Sequence, residues 1–519
     1  MKIIEKVYHH LFILLNIFIL LSYGSKSKMN LRIVNDYHFS EIHIIIMGNG
    51  TQNLLNKNFI YEPSEVLING ISKGTTCNKT CELEYEESNI TLRFEQKIEF
   101  CDNMFKNLVG IKMIDLSGFD FSNVRNMSSM FRGCKNLKEI FFGNIKTSLV
   151  EDMSHIFWYC SSLNSINLSN FDTSLVTNME KMFTACLSLN TINLSNFNTS
   201  NVKKMHWMFV QCTGLYSIDV SNFDFSKVTD MESMFGNNTN LRKVNLGYSK
   251  TTFLQKIRYL FYKCSNLISV DLSNLNTSLV TDMSYVFYNC ISIKKIIFSE
   301  SFVISNVENA NYMFTNCKNL ISLNLSSFDI SKITQMMDIF YNCSNLKYLD
   351  LSPFTSFNLN RMNKLFRNCN SLVYLNLYSF KINSSTIINS SLDSINPNTK
   401  FCLNDSYTER QLLFPKNFIS NCSDICFEQN IKLDIVTNEC IKSCSEHNYS
   451  YECNNICYDQ CPEDTYPKLE TPNICYDRKP KGYYLDLNES MYKPCYHTCE
   501  NCYGKGNETN HNCKNVNQN

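Results

Sequence analysis

The stretch that decides the fold is residues 176–197, which read VTNMEKMFTACLSLNTINLSNF. Its phenylalanine belongs to a series that recurs every 26 residues, with a single interval of 27. The series consists of Phe105, Phe131, Phe157, Phe183, Phe209, Phe235, Phe261, Phe287, Phe314, Phe340 and Phe366. A period held over eleven members predicts a solenoid of stacked coils, because a single unit cannot bury its apolar side chains alone.

The apolar spacing changes within one unit. Met179, Phe183 and Cys186 follow the three- and four-residue spacing of a helix face. Ile192 and Leu194 alternate with polar residues, which is strand spacing. We therefore expect an α/β repeat solenoid of the leucine-rich-repeat type, with one short helix and one short strand in each coil.

Residues outside the array differ in composition and set the expected domain boundaries. Residues 28–100 alternate like strands and predict a small N-terminal β cap, and the last part of the chain is rich in cysteine. The expected division is a signal peptide at 1–27, the β cap at 28–100, about eleven repeats at 101–380, a C-terminal cap or linker at 381–401 and a cysteine-rich segment at 402–519.

Nine cysteines stand three residues after a repeat phenylalanine and should stack as one column inside the solenoid, with Asn238 in the same place in the sixth coil. A column of metal ligands and serial disulfides are the alternatives. However, no other ligand type occupies the column, and one strict column cannot pair every member. The sequence predicts buried free thiols at Cys134, Cys160, Cys186, Cys212, Cys264, Cys290, Cys317, Cys343 and Cys369.

The outward positions of the expected strands are mostly Asp or Asn, interrupted by Phe141 and Ile297. A solvated sheet face explains such a ladder, and so does a surface that a partner contacts. Calcium is not favoured, since the Gly-rich pattern of calcium-binding solenoids is missing. The candidate binding face comprises Asp115, Asn167, Asn193, Asp219, Asn245, Asp271, Asn324, Asp350 and Asn376.

The unit Met-Phe-x-x-Cys-x-x-Leu followed by Leu-Ser-Asn-Phe-x-Thr-Ser resembles the BspA-like leucine-rich repeats over residues 101–380. The resemblance implies display at a cell surface or secretion, with adhesion to host or matrix proteins suggested for some members. Two places depart from the pattern. Residues 247–256 lack the Ser-Asn-Phe loop, and residues 299–311 hold the one-residue insertion.

Secretion is also predicted from the basic and then apolar start of the chain, Met1–Ser27, and from sequons such as Asn49 and Asn78. An uncleaved signal anchor is the alternative, and no later stretch is apolar enough to span a membrane. In that compartment cysteines outside the column are expected to form disulfides rather than zinc sites. The candidates are Cys77, Cys81, Cys101, Cys402, Cys422, Cys426, Cys440, Cys444, Cys453, Cys457, Cys461, Cys475, Cys495, Cys499, Cys502 and Cys513.

The last cysteines, in Cys495-Tyr-His-Thr-Cys499-Glu-Asn-Cys502 and Cys513, resemble a furin-like cysteine-rich repeat. That pattern usually ends with one more cysteine, and here Val516 occupies its place. The resemblance therefore implies a truncated form of a longer parent with further repeats and a membrane span.

Charge and motifs exclude several function classes. Lys plus Arg and Asp plus Glu both number 48, so no net field attracts nucleic acid or an anionic membrane. The nine histidines are scattered in unrelated contexts, and no hydrolase, phosphate-binding or metalloprotease motif occurs. We expect a protein that is not an enzyme and has no cofactor. Two functions remain: adhesion to an extracellular protein or glycan through the solenoid, or a surface coat without a specific ligand.

Overall fold

The computed structural model describes most of the cap and the array and short segments of the tail. The described residues are 40–298, 302–323, 325, 328–351, 363–377, 391–402, 418–419, 432–434, 440–441, 443–447, 450–453, 456–458, 460–461, 466–476, 483–486 and 490–494. The expected signal peptide lies outside them. Among the described residues, no helix is long and apolar enough to cross a membrane.

The N-terminal part is a β structure that continues directly into the first coil of the array. It contains a short 3-10 turn, Gly74–Thr76, and six strands: β1 (Ser40–Met47), β2 (Gly50–Asn53), β3 (Glu65–Ile68), β4 (Ile71–Ser72), β5 (Thr80–Leu83) and β6 (Glu87–Phe94). The burial of β1 alternates along the strand, so one side of it faces the core. It pairs antiparallel with β6 on one side and with the first strand of the array on the other. The apolar end of the array is thereby covered.

The array contributes short strands that repeat in the sequence register of the coils. They are β7 (Ile111–Asp115), β8 (Glu139–Phe141), β9 (Ser217–Asp219), β10 (Lys243–Asn245), β11 (Ser269–Asp271), β12 (Lys295–Ile297), β13 (Ser322–Leu323), β14 (Tyr348–Asp350), β15 (Tyr374–Asn376) and β16 (Lys400–Cys402). A further strand, β17 (Phe418–Ile419), pairs beside β16 outside the 26-residue register, Phe401 with Phe418. Neighbouring strands are parallel. Val244 pairs with Ile218, for example, and Leu375 pairs with Leu349, each one coil away.

Two expectations about the array need correction. Ile192 and Leu194 lie in a coil without an assigned strand, and the coil around Ile166 also lacks one. Both isoleucine side chains are only partly buried there. The array also continues past residue 380, because β16 pairs with β15 in the same 26-residue register, Leu375 with Phe401.

The short helix expected in each coil is wrong, and the main-chain angles give the reason. Lys181 has a φ of 54° and Ala185 a φ of 60°, so the left-handed conformation interrupts the segment twice. The residues two before and two after the repeat phenylalanine are left-handed in all eleven coils. A right-handed helix cannot pass through such residues. The segment is instead a chain of turns that reproduces helical apolar spacing.

These turns direct alternate amides to different partners. The amides of residues 179, 181, 183 and 185 donate to carbonyl groups of the next coil over 2.7–3.1 Å. The amides of residues 182, 184 and 186 donate three residues back within their own coil over 3.1–3.3 Å. Every second amide therefore links two coils, and the buried main chain is satisfied without a helix.

The repeat phenylalanines form a continuous column in the core. Each ring stacks on that of the next coil, with centroids 5.4–5.9 Å apart and planes within 14° of parallel. All eleven side chains are buried. The array is therefore held together by burial of aromatic surface between identical positions.

The described part of the tail contains short strands and a 3-10 turn, Cys444–His447. The strands are β18 (Lys432–Asp434), β19 (Cys440–Ile441), β20 (Tyr451–Cys453), β21 (Ile456–Tyr458), β22 (Tyr466–Lys468), β23 (Thr471–Tyr476), β24 (Tyr483–Asp486) and β25 (Met491–Pro494). They form one sheet. A disulfide joins Cys461 to Cys475, and Cys444 is also disulfide-bonded.

Candidate functional site

The chain of turns gives the solenoid a second surface in addition to its strands. We call this surface the turn face and define it as the residues two or three before and one or two after each repeat phenylalanine. Both tryptophans of the chain, Trp158 and Trp207, lie on it. Trp207 is 38% exposed and Tyr159 is 46% exposed. Large aromatic side chains held at a surface are typical of binding sites.

A cation–aromatic cluster joins the second to the fifth coils of the turn face. The Arg132 guanidinium lies 3.8 Å from the Trp158 ring centroid. The Lys181 ammonium lies 5.5 Å from the rings of both Trp158 and Trp207. Trp158 also stacks on Tyr159, with centroids 5.6 Å apart. Cations over aromatic faces hold these side chains in place and leave part of the rings accessible.

Two histidines that are 51 positions apart in the sequence meet at one carboxylate of this cluster. The Nε2 atoms of His155 and His206 lie 3.4 and 3.2 Å from the same Glu180 oxygen. The expectation that the histidines are scattered in unrelated contexts is thus wrong for this pair. The residues come together because they occupy adjacent positions of three successive coils.

The pKa directions within the cluster follow from burial and charge. Burial lowers the pKa of His155, against the opposing attraction of Glu180. Burial alone would raise the pKa of Glu180, but hydrogen bonding to Lys181 and the nearby positive charges outweigh it and lower the pKa. The site therefore favours a neutral His155 beside an ionised Glu180.

A second aromatic cluster lies on the seventh to ninth coils. Tyr259, Tyr285 and Tyr312 stack in sequence, with ring centroids 4.9 and 4.7 Å apart. Tyr262 and Tyr288 form a parallel pair at 5.3 Å. Between the two clusters the sixth coil carries only Ser233 and Gly236 at the equivalent positions, so small side chains separate the tyrosines from Trp207.

The polar groups of the candidate binding face predicted on the strands already accept hydrogen bonds within the protein. The oxygens of Asp115, Asn167, Asn193, Asp219, Asn245 and Asp271 each accept a hydrogen bond from the amide two residues later. Such bonds close the turn after each strand segment. Five of these six side chains are exposed, and Asp115 is half-buried. The remaining members are Asp350, which is half-buried, Asn376, and Asn324, which lies outside the described residues.

Asn376 differs from the expected outward orientation. It is 1% exposed, at the point where β16 pairs beside β15. Asn167 and Asn193, by contrast, are exposed, and each begins an Asn-Leu-Ser sequon.

The cysteines fall into three groups. Cys77 and Cys81 are disulfide-bonded, whereas Cys101, expected to form a disulfide, is a free and fully buried thiol. It stands four residues before Phe105, where most other coils carry Met, so its surroundings are the apolar core. The nine column thiols are also free and buried. The remaining candidates at Cys422, Cys426, Cys495, Cys499, Cys502 and Cys513 lie outside the described residues, as do the side chains of Cys402, Cys440, Cys453 and Cys457.

Burial makes the column thiols very weak acids. It raises the pKa of Cys134, Cys212, Cys264 and Cys369 to about 12. Within the part of the chain that the structure describes, no three histidine, cysteine or carboxylate side chains are placed to hold a metal ion.

Stacked coils with one aromatic column define the molecule as a repeat solenoid of the leucine-rich type. Its repeats match the family described as "Mycoplasma protein of unknown function, DUF285" in five overlapping segments: residues 99–215, 139–248, 188–298, 211–321 and 297–400. Together these segments cover more than half of the 519 residues, and the chain belongs to this family. No curated protein matches the sequence significantly.

Solved structures of similar architecture are leucine-rich-repeat proteins. One, from Bacteroides ovatus, is 18% identical, with 70% of this chain and 99% of that chain covered and a TM-score of 0.38. A leucine-rich cell-surface protein from Faecalibacterium prausnitzii is 18% identical, with 59% and 83% covered and a TM-score of 0.30. The family match confirms the repeated character of the array, whereas the low identities and TM-scores of these two structures carry no argument about this chain. The furin-like resemblance of the C-terminal residues stays a prediction.

Proposed function

We propose that the chain is an extracellular binding protein that holds a protein partner through the turn face. The observation that carries this proposal is the position of both tryptophans and five stacked tyrosines on one side of the array. Trp, Tyr and Arg are the residues that contribute most binding energy at protein interfaces. Here they are fixed by stacking and by cations, so little side-chain entropy is lost when a partner binds.

The strand face supports this assignment less well. Its carboxylates and amides already accept hydrogen bonds within their own turns. Its described aromatic side chains are also less accessible as a group: Phe141 is 48% exposed at a single coil, whereas Tyr348 is buried and Tyr374, its partner in register, is half-buried. An interface there would rest mainly on polar groups whose bonds to water are lost on binding.

The test compares the two faces by substitution. Fluorescently labelled full-length protein is applied to intact cells and to immobilised extracellular proteins and glycans. Trp207→Ala should reduce protein binding by tenfold or more, roughly the effect of removing an interface anchor. Tyr216→Ala is the matched control, because Tyr216 is 56% exposed, contacts Arg242 and lies outside the turn face. The strand-face arm substitutes Lys at Asn193, Asp219 and Asn245.

The outcomes separate the candidates. Loss of binding only in the strand-face variants would assign the partner to the strands and contradict the proposal. Binding to glycans and not to proteins would contradict the proposal of a protein partner and assign a glycan in its place. The second candidate function is a surface coat without a specific ligand, and it is favoured by the exposed sequons at Asn167 and Asn193. It predicts no saturable binding and carbohydrate attached at those two asparagines.

A further inference from the structure

One carboxylate oxygen on the turn face has three basic neighbours from three successive coils. Glu180 Oε1 lies 3.4 Å from His155 Nε2, 3.2 Å from His206 Nε2 and 3.1 Å from Lys181 Nζ. The side chains of the two histidines and the glutamate are 17–20% exposed. Water therefore reaches the cluster while most of its surroundings are protein, which strengthens the interactions among its charges.

Six charged side chains contact the two imidazoles, contact their carboxylate partners or affect the pKa of His155. Asp230 lies 3.8 Å from His206 Nδ1 and 3.3 Å from Lys256 Nζ. The charges of Arg132 and Asp152 affect the pKa of His155, as do those of Glu180 and Lys181. The three positive side chains are Arg132, Lys181 and Lys256, and the three negative side chains are Asp152, Glu180 and Asp230. Protonation of both histidines would therefore add two positive charges to this group of three positive and three negative side chains.

The geometry also provides acceptors for the added protons. His206 Nδ1 is buried and has no hydrogen-bond partner among the described residues. The nearest carboxylate oxygen is that of Asp230 at 3.8 Å, and a protonated imidazole would present an N–H toward it. The Nε2 atoms of both imidazoles face Glu180. Each proton taken up would thus meet a carboxylate, while the two imidazolium groups and Lys181 would crowd around a single oxygen.

We propose that His155, Glu180 and His206 form a proton-binding site that controls the charge of the turn face, so that mild acid favours a partner protein with an acidic segment. The biological meaning of this site rests on the proposed function, but proton uptake does not. Histidine is the side chain that changes charge between about pH 5 and pH 8, and small displacements of charged groups then alter an interface.

The chain contains its own reporter of proton uptake. The imidazole of His155 lies 5.2 Å from the Trp158 ring, centroid to centroid. Lys181 Nζ lies within 5.5 Å of both indoles, and the chain has no other tryptophan. A protonated imidazole quenches a neighbouring indole, so tryptophan emission of the full-length protein reports this cluster without any ligand.

The first experiment is a fluorescence titration of the full-length protein. Emission should fall as the pH is lowered through the range in which histidine changes charge, with His155 responding on the acid side of that range because burial lowers its pKa. The change should be reduced in His155→Gln and in His206→Gln, and should persist in His43→Gln. His43 is the matched control because it also faces a carboxylate, Glu41 at 3.7 Å, but lies in the β cap. Far-UV circular dichroism at each pH shows whether the variants remain folded.

The result that would overturn the proposal is an emission curve that is flat above about pH 5, or one that is identical in the histidine variants. Glu180→Gln provides a further check. Removing the shared carboxylate should move the midpoint to lower pH, because the imidazolium groups lose their nearest counter-charge. An unchanged midpoint in folded Glu180→Gln would contradict the assignment of this carboxylate.

The second experiment measures the effect of proton uptake on binding. The probe is a labelled poly-aspartate peptide, whose carboxylates stay ionised at about pH 5.5. It should bind roughly tenfold more tightly at that pH than at about pH 7.5, and this gain should disappear in the two histidine variants. Equal binding at both pH values would overturn the partner class. Binding of dextran sulfate but not of poly-aspartate would also overturn it, in favour of an acidic glycan. The fluorescence titration needs no ligand, so its result does not depend on whether the proposed binding function is correct.

Discussion

The thiol of Cys186 donates a hydrogen bond to the main-chain oxygen of Phe157 in the preceding coil, over 3.2 Å. All nine column cysteines make the equivalent bond, at 3.0–3.3 Å. In the sixth coil, Asn238 Nδ2 reaches the equivalent oxygen of Phe209 at 2.8 Å. The position therefore requires a small side chain that donates a hydrogen bond, and sulfur chemistry has no part in it.

The first prediction follows from this bond. Cys186→Ala should lower the free energy of unfolding by about 0.5–1.5 kcal/mol, because the Phe157 carbonyl loses one of its two donors and keeps only the Cys160 amide at 3.0 Å. Cys186→Ser keeps a donor of similar size and should cost less. Urea unfolding of both variants measures the difference. An equal loss in the two variants would show that volume, and not hydrogen bonding, determines the residue at this position.

The second prediction concerns the reactivity of the column. Because burial raises the pKa of thiols such as Cys134 and Cys212 to about 12, almost no thiolate exists at about pH 8. Iodoacetamide should leave the nine column thiols and Cys101 unlabelled in the folded protein and should label them in urea. Mass mapping of labelled peptides gives the result. Rapid labelling of the folded array would be incompatible with the packing described.

The third prediction is that a substitution toward the repeat pattern destabilises the protein. Most other coils carry Ser where Gly247 stands, but Gly247 has a φ of +69° and a Cβ there would lie 2.3 Å from the main-chain oxygen of Ser221. Gly247→Ser should therefore cost more than about 2 kcal/mol, from left-handed strain and this close contact. Thermal unfolding compares it with Ser195→Gly at the equivalent position two coils earlier, which adds no contact and should cost less than about 1 kcal/mol.

The fourth prediction concerns acid stability. Burial alone would raise the pKa of Asp219, but hydrogen bonds from Ser221 outweigh it and lower the pKa. The carboxylate therefore stabilises the folded state above its unfolded-state pKa of about 3.9, and this stabilisation is lost as the pH falls through the lower folded-state value. Asp219→Asn should show a weaker dependence of the unfolding midpoint on pH between about 5 and 3. An unchanged dependence in the variant would rule out this contribution.

The sequence was sufficient to predict the aromatic column, because a period of 26 residues leaves only one way to align Phe183 with its neighbours. It was not sufficient to predict the path of the chain around that column. A helix and a chain of turns both place Met179, Phe183 and Cys186 on one side, so apolar spacing alone cannot distinguish them.

A signal for the turns was nevertheless present. Two residues after the repeat phenylalanine, seven coils carry Asn or Gly, the residues that best tolerate a left-handed conformation. They are Asn107, Gly133, Asn237, Asn289, Asn316, Asn342 and Asn368. Residues of this kind at one repeated position argue against a helix in each coil. A chain of turns also places the residues beside the phenylalanine at the surface, which brings His155, Trp158 and Trp207 onto one face.

The alternation of amides between the next coil and the same coil has a consequence for how such a chain can change in length. Each coil offers its neighbour the same donors, the same acceptors and the same phenylalanine ring, so two coils that were not adjacent can be joined at equivalent residues. A gene encoding this protein can therefore gain or lose blocks of 26 codons while the core stays sound. An indel of a few codons within the turns would misalign every contact after it. Variation in this family should accordingly come as changes in coil number and in the identity of the outward side chains.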